Sequence, residues 1–162
     1  MIVIFLQLFC LAGLNVGVYS EFLVETRAYH KEYRALSSAL CQQSITRKMS
    51  GCISDYEFRY GYNTDTQKCE EFESLSCRAL VGNDFMTREI CLKTCNPQSP
   101  CLINRWDYGG EYRKWYYYSS EEDECIEIDS TLKTSNLWPQ GNLFYTRQEC
   151  LKQCMPSYNH LL

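Results

Sequence analysis

Residues 1–20 (MIVIFLQLFCLAGLNVGVYS) carry no charge and hold a long apolar stretch interrupted by Gln7 and Asn15, whereas the chain from Glu21 onward mixes polar and apolar positions throughout. Two short aromatic runs, 58–62 and 115–118, stand out in the mixed part. Phe, Tyr and Trp at this density favour extended backbone, so each run predicts the first strand of a hairpin. Polar turns follow at Asn63–Gln67 and Ser119–Asp123. Further along, Thr87 and Thr146 suit helix N-caps. Each opens a segment with two cysteines four apart, Cys91 with Cys95 and Cys150 with Cys154. On a helix that spacing points both sulfurs to one face. Thr146 with Glu149 makes a capping box, which the first segment lacks because Ile90 stands there.

These segments belong to an internal repeat. Gly82–Cys95 and Gly141–Cys154 align without a gap and share Gly-Asn-x-Phe, Thr-Arg and Cys-Leu-Lys-x-Cys. Upstream, Arg59-Tyr60-Gly61-Tyr62 before Cys69 is matched to Lys114-Trp115-Tyr116-Tyr117 before Cys125, which sets the units at about 41–95 and 101–154. The joint 96–100, Asn-Pro-Gln-Ser-Pro, is stiffened by two prolines. A unit of roughly 55 residues buries barely enough surface to offset chain entropy, so covalent staples of about 2 to 4 kcal/mol each would carry much of its stability.

The cysteines can supply those staples. The apolar leader ends in the small-residue pattern Val18-Tyr19-Ser20 and reads as a secretory signal cleaved before Glu21, which places the mature chain outside the cell. Its polar interruptions and the lack of a stop-transfer flank argue against a membrane span. Cleavage removes Cys10 and leaves ten cysteines, an even number in an oxidising compartment. A metal reading of the Cys-x3-Cys pairs is disfavoured there, since the chain has only His30 and His160, so no metal and no cofactor is expected. So short a chain with two histidines also speaks against an enzyme. The net charge of −4 argues against nucleic acid or an anionic membrane as partner. Residues 21–40 form an N-terminal arm, a short helix or a flexible one, and 155–162 a short tail without a basic cluster. The expected architecture is small, disulfide-rich α+β: a twisted hairpin pinned to a C-terminal helix, twice over, in a monomer.

The spacing Cys41-x10-Cys52-x16-Cys69-x7-Cys77-x13-Cys91-x3-Cys95, with the Arg-aromatic-x-Tyr-Asn run at 59–63 and the Gly-Asn-x-Phe motif, resembles the Kunitz family of serine protease inhibitors. Spacing alone leaves fifteen connectivities for six cysteines. The resemblance implies Cys41 with Cys95, Cys52 with Cys77 and Cys69 with Cys91, and in the second unit Cys101 with Cys154 and Cys125 with Cys150. The second unit has no counterpart of the bridge that braces the binding loop. Two such units, the second carrying Asp107-Tyr108-Gly109-Gly110 before a Trp-Tyr-Tyr strand, are similar to the tick salivary tissue factor pathway inhibitors. Together they cover about two thirds of the precursor.

What the resemblance implies about function follows residue by residue. A Kunitz inhibitor presents a rigid loop whose residue after the second cysteine enters the protease's primary pocket, and rigidity removes the ordering cost of a flexible peptide. Here that residue is Ile53, in a reactive loop of Gly51, Cys52, Ile53, Ser54, Asp55 and Tyr56. Ile53 is uncharged and β-branched, suited to an elastase-like slot rather than a pocket with an acidic floor; the alternative is an exposed loop residue on a disulfide scaffold. This sequence departs from inhibitory members in a longer first spacing, one extra residue before Arg59, and Leu75-Ser76 where they carry Gly-Gly. In the second unit the same position falls in an unbraced loop at Gly110 and Glu111. That unit is acidic, with Glu121, Glu122, Asp123, Glu124, Glu127 and Asp129 forming either a solvated turn or an exosite that steers association with basic surfaces. Trp106, Trp115, Trp138 and Tyr116–Tyr118 are core aromatics or interface anchors, and Trp138 lies in an extended insertion with little core to bury it. The partners implied are host coagulation proteases, factor VIIa with tissue factor and factor X or Xa. An elastase-type target of Ile53, or a receptor or ion channel bound without inhibition, are the alternatives; no Arg-Gly-Asp or Lys-Gly-Asp triplet occurs.

Overall fold

A computed structural model describes residues 39–158, so the leader, the arm up to residue 38 and the last four residues lie outside the described residues. In order, the elements are β1 (Tyr56–Asn63), β2 (Lys68–Leu75), α1 (Arg88–Cys95), a 3-10 turn (Pro100–Leu102), β3 (Tyr108–Ser119), β4 (Glu124–Leu132), a second 3-10 turn (Thr134–Asn136) and α2 (Arg147–Cys154). β1 pairs with β2 and β3 with β4, each as an antiparallel two-stranded sheet. The turn residues Gln67 and Asp123 take positive φ, 57° and 51°, which lets each hairpin reverse tightly.

Local chemistry explains the helix starts. Thr87 accepts a hydrogen bond from the Ile90 amide, and Thr146 with Glu149 forms the full capping box. One face of each helix then carries its two half-cystines. Among the described residues five disulfides are present: Cys41–Cys95, Cys52–Cys77, Cys69–Cys91, Cys101–Cys154 and Cys125–Cys150. The chain thus folds as two small disulfide-rich α+β units, each a hairpin with a C-terminal helix.

The Gly-Asn-x-Phe motif has a structural task in both copies. Phe85 exchanges backbone hydrogen bonds with Tyr60 (3.0 and 2.8 Å), and Phe144 does so with Tyr116 (3.0 and 2.8 Å). Asn83 Oδ1 accepts from the Tyr62 amide at 2.7 Å while its Nδ2 donates to the Tyr62 carbonyl, and Asn142 clamps Tyr118 in the same way at 3.1 and 2.7 Å. These clamps correct the repeat alignment by one residue. Tyr60 corresponds to Tyr116, Tyr62 to Tyr118, and Arg59 to Trp115 rather than to Lys114, because the clamp and not the count of aromatic residues sets the register.

From Ser38 onward the chain is one compact unit. A single apolar cluster joins Cys69, Phe85, Cys91 and Leu92 of the first half to Cys101, Tyr118, Cys125, Phe144, Cys150 and Cys154 of the second. Trp138 does not project from an open insertion. It packs half-buried against this cluster, stacked on Phe144 at 5.8 Å.

At the seam lies Arg88, the first residue of α1, 1% exposed. Its Nε donates to Asp123 Oδ1 at 2.8 Å, and its Nη1 donates to the Cys69 and Pro156 carbonyls at 2.7 and 3.1 Å. The guanidinium also approaches Glu71 at 3.6 Å and stands over the Tyr60 ring at 4.9 Å. Asp123 completes the cluster by accepting from the Tyr60 and Tyr118 hydroxyls at 2.8 and 2.7 Å. Beside it the tail crosses back onto the first hairpin. The Glu71 amide donates to the Pro156 carbonyl at 3.0 Å and the Tyr158 amide to the Glu71 carbonyl at 2.8 Å, a parallel bridge centred on Ser157. Lys68 extends the seam, donating to the Lys152 carbonyl and to Gln153 Oε1, with its pKa lowered first by burial and then by Lys152.

Burial pushes both Tyr60 and Tyr118 well above the usual phenol value of 10, and the Asp123 carboxylate adds to the rise. A group whose folded pKa is raised contributes its stability in full below the unfolded pKa and loses it as pH climbs beyond that value. Unfolding free energy is therefore expected to be flat up to about pH 10 and to fall steeply above it. Chemical denaturation across that range should show a shallower fall when both tyrosines are replaced by Phe; an unchanged slope would contradict this assignment.

Candidate functional site

In the first unit the six loop residues 51–56 hang between the Cys52–Cys77 bridge and the start of β1. Gly51 sits at φ 104°, backbone that other residues rarely adopt, and allows the chain to turn into the bridge. Hydrogen bonds tie the loop to the neighbouring strand end. The Ser76 amide donates to the Asp55 carbonyl and the Leu75 amide to the Lys48 carbonyl, both at 3.0 Å, while the Ser54 and Ser76 hydroxyls bond each other and Arg78 donates to the Ser50 carbonyl. Beneath them a charged layer supports the loop. Arg59, 4% exposed, bonds Glu57 and the Arg78 carbonyl and lies 3.8 Å from Asp84, which Lys48 meets at 3.4 Å.

This scaffold leaves Ile53 106% exposed. A β-branched aliphatic side chain is thus held in solvent on a loop whose flanking residues are tied by hydrogen bonds. Tyr56, Leu80 and Val81, on the same tied segments, are exposed as well.

The second unit builds this end differently. Gly110 and Glu111 do not form a protruding loop; they lie in a bulge at the start of β3, between the Tyr108–Leu132 and Arg113–Ser130 pairs. A Cβ at Gly110 would stand 2.2 Å from the Leu132 carbonyl oxygen, so the close approach requires glycine. In place of a disulfide, Asn136 braces the entry to β3. Its Oδ1 accepts from the Asp107 amide, and its Nδ2 donates to the Asp107 and Lys133 carbonyls, all at 2.9 Å. Trp115, standing where Arg59 stands in the first unit, is 1% exposed and packs with Leu132 and Leu143. An apolar core thus replaces the charged layer, and the loop it would support is absent.

The acidic residues expected as one exosite are divided. Glu121 and Glu122 are exposed on the turn and Glu124 at the start of β4. Asp123 turns inward to Arg88. Glu127 is bonded by Lys114 and by the Tyr116 hydroxyl, interactions that lower the Glu127 pKa and raise both partners'. Asp129 is exposed on β4. Among the aromatics, Trp115 is core and Trp106 meets the Tyr117 ring edge-on at 5.3 Å. Arg88, Asn136 and the Lys48–Asp84–Arg59 layer are the positioning residues that reading the chain did not single out. Arg59 and Arg88 lie in motifs that the sequence displays, the Arg-aromatic run and the repeated Thr-Arg, but neither motif tells of their burial. Among the described residues no group of three His, Cys, Asp or Glu could hold a metal ion.

The first unit is thus a disulfide-stapled scaffold that presents a braced loop with exposed apolar side chains, Ile53 the most exposed of them. The Kunitz/Bovine pancreatic trypsin inhibitor domain model matches residues 40–96. Haemaphysalin of Haemaphysalis longicornis is 33% identical over 133 residues, 78% of this chain and 78% of its own length. The Kunitz-type serine protease inhibitor bitisilin-3 of Bitis gabonica is 32% identical over 107 residues, 65% of this chain and 66% of its own. A solved structure of Ixolaris, described with its factor X interaction, is 26% identical and covers 74% of this chain and 96% of that one at a TM-score of 0.26. The chain belongs to the Kunitz/BPTI family, whose members are inhibitors rather than enzymes.

Asn136→Ala removes three hydrogen bonds from a buried amide site and is expected to cost about 2 kcal/mol. Denaturant unfolding measures the loss, and hydrogen exchange should speed up at the Asp107 amide. An unaltered Asp107 amide would mean that another group braces the bulge.

Proposed function

We propose that this Kunitz-type inhibitor is secreted and acts as an anticoagulant, binding a host coagulation protease assembly of factor VIIa with tissue factor and factor X or Xa. The two units divide the work. The first unit's loop, residues 51–56, offers Ile53 to a protease's primary pocket. The second contributes an exosite contact through Glu121, Glu122 and Glu124, which would steer association with a basic surface. The observation that carries this reading is the contrast between the halves: Ile53 is wholly exposed on a braced loop, while the equivalent stretch of the second unit is folded into a strand bulge. The similarity to Haemaphysalin supports the anticoagulant assignment. A second reading, an elastase-type target, is favoured by the uncharged, β-branched character of Ile53.

Factor Xa generation by factor VIIa and tissue factor, titrated with the refolded mature protein, separates the readings. Replacing Glu121, Glu122 and Glu124 with Gln is expected to weaken inhibition and flatten its salt dependence, and Ile53→Asp to abolish any elastase inhibition. Ile53→Arg should gain at least about tenfold against trypsin, whose pocket pairs a cation. No inhibition of either system at micromolar protein would overturn both readings.

A further inference from the structure

The repeat contains its own control experiment. In the first unit Tyr60, Glu71 and Arg88 form a face that is occupied: Asp123 sits on Arg88 and Tyr60, and the segment 156–158 runs parallel to β2 at Glu71. The bridges to Phe85 and Phe144 and the shared Thr-Arg motif place Tyr116, Glu127 and Arg147 at the equivalent positions of the second unit. There, among the described residues, no segment is paired or bonded to the face. Arg147 is exposed on the first turn of α2, near enough to Tyr116 to bias its hydroxyl, and among the described residues it has no hydrogen bond or ion pair.

The backbone is open as well. Tyr116 spends its N–H and C=O on Phe144, so its cross-strand partner Glu127 belongs to a non-hydrogen-bonded pair and turns both its backbone groups to the outer edge of β4. At Glu71 those same two groups hold Pro156 and Tyr158. An acidic strand does not forbid the addition, because β2 carries Glu70, Glu71 and Glu73 and is nonetheless paired. In the second unit Lys114 moreover compensates Glu127.

We propose that the outer edge of β4 at Glu127, together with Arg147, is a docking face for an extended acidic segment of another protein. That segment adds parallel to β4 as a third strand and sets a carboxylate on Arg147, with backbone bonds supplying affinity and the ion pair selecting acidic sequences. The uncompensated cation sets the chemistry of the occupant, and the occupied first-unit face sets its geometry. A second copy of this chain could not repeat the Asp123 contact. Its own Asp123 is consumed within its seam, and its first unit presents neutral Gln67 at that turn position.

The test is an amide-resolved NMR titration of the full mature chain with a peptide joining the two occupants' sequences, Glu-Glu-Asp-Gly-Gly-Met-Pro-Ser-Tyr amide. Saturable shifts centred on Tyr116, Glu127 and Arg147 are expected. They should weaken by about tenfold or more in Arg147→Glu, and likewise when the peptide's acidic residues are replaced by Lys. Glu at the first position of a helix is well tolerated, so this variant keeps the fold. No saturable shift at millimolar peptide, or equal binding by Arg147→Glu, would overturn the proposal. So would shifts of these residues on concentrating the protein alone, which would put a second copy on the face.

Discussion

A guanidinium removed from water is tolerated only where carboxylate and carbonyl oxygens replace its hydration, and the two halves of this protein are joined around one such group. Arg88 belongs to the first unit, yet its best-placed anion, Asp123, and one of its carbonyls, that of Pro156, come from the second. Born desolvation of an ion costs several kcal/mol even after relaxation, so neither half can bury Arg88 well alone. Asp123 is likewise the shared acceptor of one tyrosine from each hairpin, Tyr60 and Tyr118. The seam is thus specific in register as well as favourable in burial. Sliding one hairpin by a residue would strand a buried charge and two hydroxyls.

This arrangement changes what the two units can do. With the helices, the disulfides Cys69–Cys91 and Cys125–Cys150 and the clamped aromatics in one cluster, the first unit's loop and the second unit's acidic turn are held on a common frame. Sites fixed on one frame can engage one partner assembly without the ordering cost of a flexible tether, provided their separation matches the target. The halves have also specialised in opposite ways at the same structural position. Arg59 with Asp84 and Lys48 holds up a presented loop, whereas Trp115 with Leu132 and Leu143 fills that space and leaves a flat, bulged strand braced by Asn136.

Much of the fold was legible because it is written in short-range chemistry. The threonine caps, the polar turns after the aromatic runs and the cysteines four apart on a helix each follow from local rules, and the structure contains all three. The seam was not legible, for a physical reason. Arg88 and Arg147 occupy the same motif in the repeat, and nothing near either one says that the first is buried and the second exposed. Asp123 sat in a run of four acidic residues, where solvation is the ordinary fate, and its inward turn depends on partners 35 and 63 residues away. Trp138 appeared to lack a core because the surface it covers, Phe144 and its neighbours, is assembled by both units together. The one-residue slip at Arg59 comes from matching the aromatic runs: Arg59 and Trp115 each stand ten positions before their cysteine, Cys69 and Cys125, the same register that the asparagine clamps set.

The two Kunitz units form a single body fixed around Arg88 and Asp123. Residual dipolar couplings measured on amides throughout residues 41–158 test it most directly. One alignment tensor should fit both units together with their present relative orientation. Two distinct tensors, or couplings systematically scaled down in one unit relative to the other, would show independent motion and contradict the claim.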